Sequence, residues 1–443
     1  MNITIDLKLD LSLDEDTVHQ ASTVAEAIED QAIPSSLYEE IVEAVSEHCV
    51  EAYCGEKHAH GNGEKRHQRA GTDDKTITTT LGEHELDLHY VKDTADDEYF
   101  RPVEDVIAFD GQNTYQEGIA IRAAKAATKL SYRDAAEQVA EFGSEISRST
   151  IQRRVKRFGG ELREFLHDAN EGMDAQTVMA DGTKCHSQQE GVSYNNVHIA
   201  LNRDVVGDDG ETTLLDVTVD GSWDRTAQAL RDEGTIAEEA TIVSDAEETI
   251  CNAFCVGDVS HQLDLVHQPR TMSYHLWDDD AFSLAERKQI VSELSNDLFH
   301  LKHSVAIHAP VEEDDAMKRR LEITRDRLGR LSRQLDQLGS PKAAAYLREW
   351  RASTLRFAEF ALNGRLVPWT SNAVERAMGE VSKRCKNTWM SWTATGLEAL
   401  LTLNLVRYAN PGQFDQFEAA MLNRSTKTAL TMEVSADTTR GEL

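Results

Sequence analysis

Residues 175–270 constrain the fold more than any other part of the chain. "QTVMADGTKCHS", "NNVHIALN" and "TTLLDVTVDG" are three consecutive strand-like runs with turn residues between them. "WDRTAQALRDEG" reads as a helix, "ATIVSDAEET" as an apolar strand ending in Asp, and "SHQLDLVHQPR" as another short strand. Pro269 then opens a long helical region punctuated by Pro310, Pro341 and Pro368. Inside it Leu321, Leu328 and Leu335 recur every seven residues with Leu331 and Leu338 between, the pattern of a helical hairpin or bundle. "SNAVERAMGEVSKRCK" and "TGLEALLTLNLVRY" follow as helices, and the residues after Pro411 read as a polar, frayed tail.

Three strands, a helix, a strand ending in Asp, another helix, a strand and a further helix is the order of the ribonuclease H-like fold. The expected class is therefore α/β, with a mixed five-stranded core sheet interrupted by an all-α insertion. In that fold the first and fourth strands are neighbours. Asp181 on the first and Asp245 at the end of the fourth would then lie side by side, and Glu375 on a later helix could complete the cluster. Three converging carboxylates repel unless something neutralises them. Two Mg²⁺ or Mn²⁺ ions about 3.5–4 Å apart do so, and they activate a water or 3′-hydroxyl for in-line attack on phosphorus. Plainer roles compete with this one. Asp181 precedes Gly182 and could be a turn residue, Asp245 could cap a helix, and Glu375 could be the third residue after an Asn372 cap. Glu380 is the nearest rival to Glu375, while Glu247 and Glu248 suit a helix N-terminus.

On the helix after Ser371, the residues Glu375, Gly379, Ser382 and Lys386 form one stripe, and Val374, Met378, Val381 and Cys385 form the apolar one. Small residues beside Glu375 leave room for a nucleic-acid backbone. Lys383, Arg384 and Lys386 follow as phosphate contacts. The plainer account of those cations is that they complement the helix dipole.

The N-terminal region is different. Residues 1–45 are acidic, with helical patterning from Ile33 to Val45. Cys49, Cys54, His58, His60 and His67 could supply a zinc site, although their spacing departs from paired CxxC and a polar loop with scattered His explains them too. "KTITTTLGEHELDLHYV" alternates as a β-hairpin. "LSYRDAAEQVAEFGSEISRSTIQRRVKRFG" then contains two short helices broken at Gly143, with Ser131 and Ser147 as N-caps. From Arg122 to Arg157 there are nine basic and four acidic residues. Arg148, Arg153, Arg154, Lys156 and Arg157 surround an apolar face of Ile151, Val155 and Phe158. Either this is a helix-turn-helix that enters a major groove, or an αα-hairpin with a solvated basic face.

That basic island stands in a chain with 78 acidic and 46 basic residues and a net charge of -32. The acids are spread along the whole length, which suits a folded protein in a halophilic host, where salt near 1 M screens charge over ~3 Å. Net charge therefore does not exclude DNA as a partner. No run of apolar residues is long enough for a membrane span, the N-terminus is not a signal peptide, and the six cysteines form no disulfide framework. A cytoplasmic location is expected.

The pieces "LSYRDAAEQVAEF…SRSTIQRRV", "ADGTK", "IVSDAEETI", "DLVHQPR" and "TSNAVERAMGEVSKRCK" resemble insertion-sequence transposases of the Mutator-like group, in particular a family from haloarchaea. The resemblance covers roughly residues 65–410. It implies a DNA transposase with an Asp-Asp-Glu set at Asp181, Asp245 and Glu375, and it singles out Asp264 and His267 as a supporting pair. The implied partners are double-stranded transposon ends and target DNA, bound by a homo-oligomer. The implied layout is an acidic segment (1–45), a β-hairpin region (46–112), a helix-turn-helix (113–165), a core (170–270), an insertion (271–367), the rest of the core (368–410) and a tail (411–443). A DNA-binding regulator derived from such an enzyme, or a nuclease without strand transfer, is the alternative. Trp277, in "SYHLWDDD", reads either as an anchor for the insertion's first helix or as a ring stacking on an unpaired base near the cut.

Overall fold

The computed structural model describes residues 32–55, 66–107, 109, 114–141, 145–203, 212–386 and 390–424. They belong to two compact units. One takes residues 1–126, 131–151 and 418–443, and the other takes 127–130 and 152–417.

In the first unit, helix α1 (Ala32–Gly55) packs on a hairpin of β1 (His67–Thr79) and β2 (Gly82–Asp93), and β3 (Glu98–Phe100) adds to β2. The hairpin is the expected one. Gly82, His84, Leu86 and Leu88 alternate inward along β2, and Gly82 takes the positive φ that lets the chain reverse after Thr80 and Leu81. Val42, Val45 and Cys49 of α1 meet Ile77, Leu86 and Leu88 in one apolar cluster. Helix α1 is thus longer than its sequence pattern predicted and runs through Cys49 and Cys54. The Cys49 thiol faces the core, and burial beside Asp105 pushes its pKa up, opposite to what a metal ligand needs. Cys54 sits near the end of the same helix, while His58 and His60 lie outside the described residues. Among the described residues no Cys/His cluster suited to zinc forms here. Helices α2 (Glu117–Ala127) and α3 (Tyr132–Ala140) follow, and the Ser131 hydroxyl caps α3 by accepting from the Asp134 N–H at 3.1 Å. The break expected at Gly143 lies outside the described residues.

Helix α4 (Arg148–Asn170) is twice the expected length. Its apolar face continues past Ile151, Val155 and Phe158 to Leu162 and Leu166, all buried. From Gln152 onward it belongs to the second unit. There a mixed sheet has the order β6-β5-β4-β7-β8, built from β4 (Ala175–His186), β5 (Tyr194–Asn202), β6 (Thr213–Val219), β7 (Ile236–Ser244) and β8 (Ser260–Leu263). β4, β5 and β6 pair antiparallel, and β7 and β8 run parallel to β4.

Helices α5 (Trp223–Asp232) and α6 (Glu248–Phe254) cover one face, where Val178, Ala180, Leu215 and Ile242 pack on Trp223, Leu230, Ile250 and Phe254. Side chains alternate along a strand, so Met179 and Asp181 lie on the opposite face. Later helices serve that face: α11 (Asn372–Cys385) contacts β4 and β5, and α12 (Ala394–Ala409) contacts β6. α4 crosses α12 so closely that a Cβ on Gly159 would stand 2.3 Å from the Ala399 carbonyl oxygen. Only glycine fits there. Arg163 of α4 pairs with buried Asp216 of β6 at 3.1 Å and with Glu398 of α12 at 2.7 Å.

Between β8 and α11 the described chain is all helix: α7 (His267–Asp278), α8 (Leu284–His308), a 3₁₀ turn, α9 (Asp314–Gln337) and α10 (Pro341–Ala361). Leu321, Leu328 and Leu335 are buried as the heptad spacing required, whereas Leu338 caps α9 in the open. α10 packs along β8, and the Gln262 side chain accepts from the Phe357 N–H at 2.6 Å. Helix α13 (Pro411–Arg424) replaces the first part of the expected frayed tail, because Phe414, Phe417 and Met421 give it an apolar face. Among the described residues no helix is long and apolar enough to cross a membrane.

Candidate active site

The sheet register places three aspartates level. Met179 of β4 is paired with Val243 of β7, and Ser244 of β7 with Leu263 of β8. Two residues beyond the first pair come Asp181 and Asp245, and one residue beyond the second come Asp245 and Asp264. Parallel strands carry them out at the same end of the sheet, the end where crossover loops leave room for a ligand.

Asp181 lies inside strand β4, not in a turn. Burial raises its pKa, partly offset by the Gly182 N–H bonded at 2.7 Å, and the neighbouring Asp245 raises it further, to about 6. Asp245 is raised as well, by burial and then by Glu247. Its Oδ1 is buried with no hydrogen-bond partner. It does not cap α6, whose N-cap is Glu247. Glu247 is thus a further carboxylate near the pair, felt by both Asp181 and Asp245. From sequence alone Glu247 is expected to serve only the helix N-terminus.

Asp264 behaves differently. It is fully buried, and both oxygens are engaged. Oδ1 accepts from the N–H groups of Val266 (2.6 Å) and His267 (3.4 Å). Oδ2 accepts from the N–H (2.8 Å) and hydroxyl (2.5 Å) of Ser371. This one carboxylate joins the end of β8, the start of α7 and the start of α11. Ser371, which sequence reasoning missed, is therefore spent on Asp264 and does not cap α11 with its side chain. Glu375, one turn further, shares a 2.6 Å hydrogen bond with His267 Nε2. Burial lowers the pKa of His267, but the Glu375 hydrogen bond and the charges of Asp264, Glu375 and Asp245 outweigh it, so the net shift is upward. Asp264, His267 and Glu375 each offer an atom within 4.8 Å of the others. His267 links this trio to Asp181 and Asp245, which both feel its charge.

Glu380, the rival, is held elsewhere. It bridges Lys129 at 2.6 Å and Lys383 at 2.7 Å, and these bonds lower its pKa. The apolar stripe of α11 is buried as expected, and open space surrounds Gly379 beside Glu375. The expected phosphate contacts fare less well. Lys383 is committed to Glu380. Arg384 is buried, donating from Nε to the Ala127 carbonyl at 2.9 Å and lying over the Trp392 ring. Lys386, at the C-cap of α11, is exposed and has no such tie among the described residues. On α4, Arg148, Arg153 and Lys156 are exposed and Arg157 is half-buried beside Glu161, but Arg154 is buried. Its burial sets Arg154 apart from its exposed neighbours on the same turns. Trp277 is 61% exposed, with its ring centroid 5.9 Å from that of Tyr274.

The comparisons with known proteins agree with a chain of this class, an insertion-sequence transposase of the DDE type. Residues 119–399 match the Transposase IS66 family, and the chain belongs to that family. Residues 31–179 also match a family described as Uncharacterised protein family (UPF0236). No curated protein matches. IS66 is a different family from the Mutator-like group whose motifs the sequence resembled, and the match does not support that narrower kinship or a haloarchaeal source.

Proposed function

We propose that the protein binds the ends of its insertion sequence and cuts and rejoins DNA with Asp181, Asp245 and Glu375. The observation that carries this reading is the buried, orphaned Asp245 Oδ1 beside the half-buried Asp181 carboxylate. A buried charge left unpaired is costly, and two adjacent ones more so, unless a cation satisfies them. The donors are all carboxylate oxygens, which suit Mg²⁺ or Mn²⁺. Asp181, Asp245 and Glu375 would hold two such ions. When bound, they activate a water or 3′-hydroxyl and steady the leaving oxygen during attack on phosphorus. Asp264 fixes the first turn of α11, and His267 orients the Glu375 carboxylate.

The strand order, with three antiparallel strands and two parallel to the first, is that of a ribonuclease H-like core and supports that assignment. α3 and the exposed first turns of α4 are the proposed helix-turn-helix, with Arg148, Arg153 and Lys156 toward DNA. The working form is an oligomer on DNA in the cytoplasm, and the acidic surface calls for assays in high salt. The orphaned carboxylate argues against a purely DNA-binding regulator.

The test is cleavage by the full chain of duplexes carrying the DNA that flanks its gene, with Mg²⁺ or Mn²⁺. Nicking at the element's ends, lost in Asp245→Asn, is expected. Absence of metal-dependent cleavage and end binding across a wide salt range would overturn the proposal.

A further inference from the structure

Helices α7 and α8 enclose a cleft of ≈ 580 Å³ lined by Arg270, Tyr274, Trp277, Leu284, Arg287 and Lys288 among others. The lining is no accident of loops. Arg270, Tyr274 and Trp277 follow one stripe of α7 at i, i+4 and i+7, and Leu284, Arg287, Lys288 and Val291 follow one stripe of α8. No carboxylate lines the cleft, in a chain of net charge -32. Elsewhere in the same bundle cations are paired, as Lys342 with Asp278 and Arg325 with Glu359. Among the described residues Arg270, Arg287 and Lys288 form no ion pair, and Arg287 Nε is buried with no hydrogen-bond partner. Two large rings stand open beside these cations. Trp277 is 61% and Tyr274 57% exposed, with ring centroids 5.9 Å apart.

We propose that this cleft holds an unpaired stretch of the DNA strand, its bases stacked on Trp277 and Tyr274 and its phosphates on Arg270, Arg287 and Lys288. Rings among unpaired cations match a ligand that offers both an exposed aromatic face and a negative backbone, and a single strand offers both. A duplex hides its base faces, and an apolar ligand would leave three cations unsatisfied. The position fits as well. α7 begins at His267, the partner of Glu375, and rises about 15 Å to Trp277. That is some four base-pair steps at ~3.4 Å each, so a strand in the cleft leads away from the carboxylates along one rigid helix.

This inference rests on the proposed DNA function, and the experiment separates the two. The full chain in EDTA is titrated with a labelled oligothymidine of about 15 nucleotides and with a duplex of the same length, reading anisotropy. Trp277→Ala and Tyr274→Ala should each weaken single-strand binding about tenfold and leave duplex binding unchanged. Arg287→Ala should reduce the salt slope, and Trp277→Phe, which keeps a ring, should retain most of the affinity. Single-strand affinity unchanged in both Trp277→Ala and Arg287→Ala overturns the inference. So does equal displacement of the strand by polyglutamate of the same charge, which would give the cleft to an acidic protein segment. If the wild type binds neither form of DNA, the proposed function itself fails. If it binds and cuts duplex ends while ignoring single strands, only this inference fails.

Discussion

Asp245, half-buried, and Asp264, fully buried, follow the ends of adjacent parallel strands level with each other, yet their surroundings are opposite. Asp264 has two donors on each oxygen and no need of anything else. Asp245 has a buried oxygen with no donor and another carboxylate beside it. The first arrangement stabilises a scaffold, because a carboxylate with several backbone donors is a strong acceptor. The second is unfavourable until a cation arrives. Geometry alone groups Asp264 with His267 and Glu375 as a metal-binding set, but the hydrogen bonds show that its oxygens are already in use.

The largest effect should separate them by chemistry. Asp245→Asn or Asp181→Asn should cut end cleavage about a thousandfold, the loss typical when an electrostatic partner of the reacting atoms is removed. Melting should hold steady or rise, since each change removes an unfavourable half-buried charge. Saturating Mg²⁺ should stabilise the wild type by ~2.7 kcal/mol at a hundred times its Kd, and Asp245→Asn should lose that gain. A melting temperature indifferent to both Mg²⁺ and Mn²⁺ would erase the contrast.

Asp264→Ala should instead unfold. It strands the buried N–H and hydroxyl of Ser371, at ~1–3 kcal/mol for each buried group left unsatisfied, and urea denaturation measures the loss. A wild-type denaturation midpoint would reassign Asp264 to the ligand set.

The cations offer the same contrast at a smaller scale. Arg153→Ala with Lys156→Ala should lower the salt slope of end binding by about two if each contacts one phosphate, with melting unchanged. Arg154→Ala, being buried, should lower the melting temperature and leave the slope alone. The reverse result would put Arg154 in the groove.

The smallest effect belongs to His167, which bonds Glu233 at 2.9 Å and lies 3.5 Å from Asp216. The Asp216 hydrogen bond leads in raising its pKa, against the lowering by burial. A raised folded pKa stabilises the protein below the unfolded value of about 6.5 and loses that contribution as pH rises through the folded one. The stability difference between wild type and His167→Gln should therefore shrink from pH 6 toward pH 8, by ~1 kcal/mol or less. A difference that does not change with pH would show that His167 carries no charge in the fold.

Much of the core was legible because strands announce themselves by period and composition. Element order put Asp181 and Asp245 side by side, as the register of β4 and β7 has them, and the heptad leucines marked the helical region. The rest was hidden for physical reasons. A basic run looks the same in sequence whether its members face solvent or one of them turns inward, as Arg154 and Arg384 do. Helix α1 ran on through Cys49 because a buried thiol packs like a small apolar side chain, which its scatter among His residues concealed. The partnership of Asp264 with Ser371 depends on contact between segments separated by the whole insertion, and no local pattern reports that.

That partnership also bears on how the chain folds. The Leu265 N–H donates to the Trp369 carbonyl at 3.0 Å, next to the Asp264–Ser371 bonds, so the insertion leaves and rejoins the core at one point. Closing so long a floppy loop would be slow and entropically unfavourable, although the penalty grows only with the logarithm of length. The insertion has apolar contacts of its own from Leu294 to Ala361, continuous with Leu263 and Leu265 at the sheet edge. Once its helices pair, its two ends are already neighbours. The helix bearing Glu375 can then dock as though it followed β8 directly, and Glu375 meets His267 by local rather than distant search.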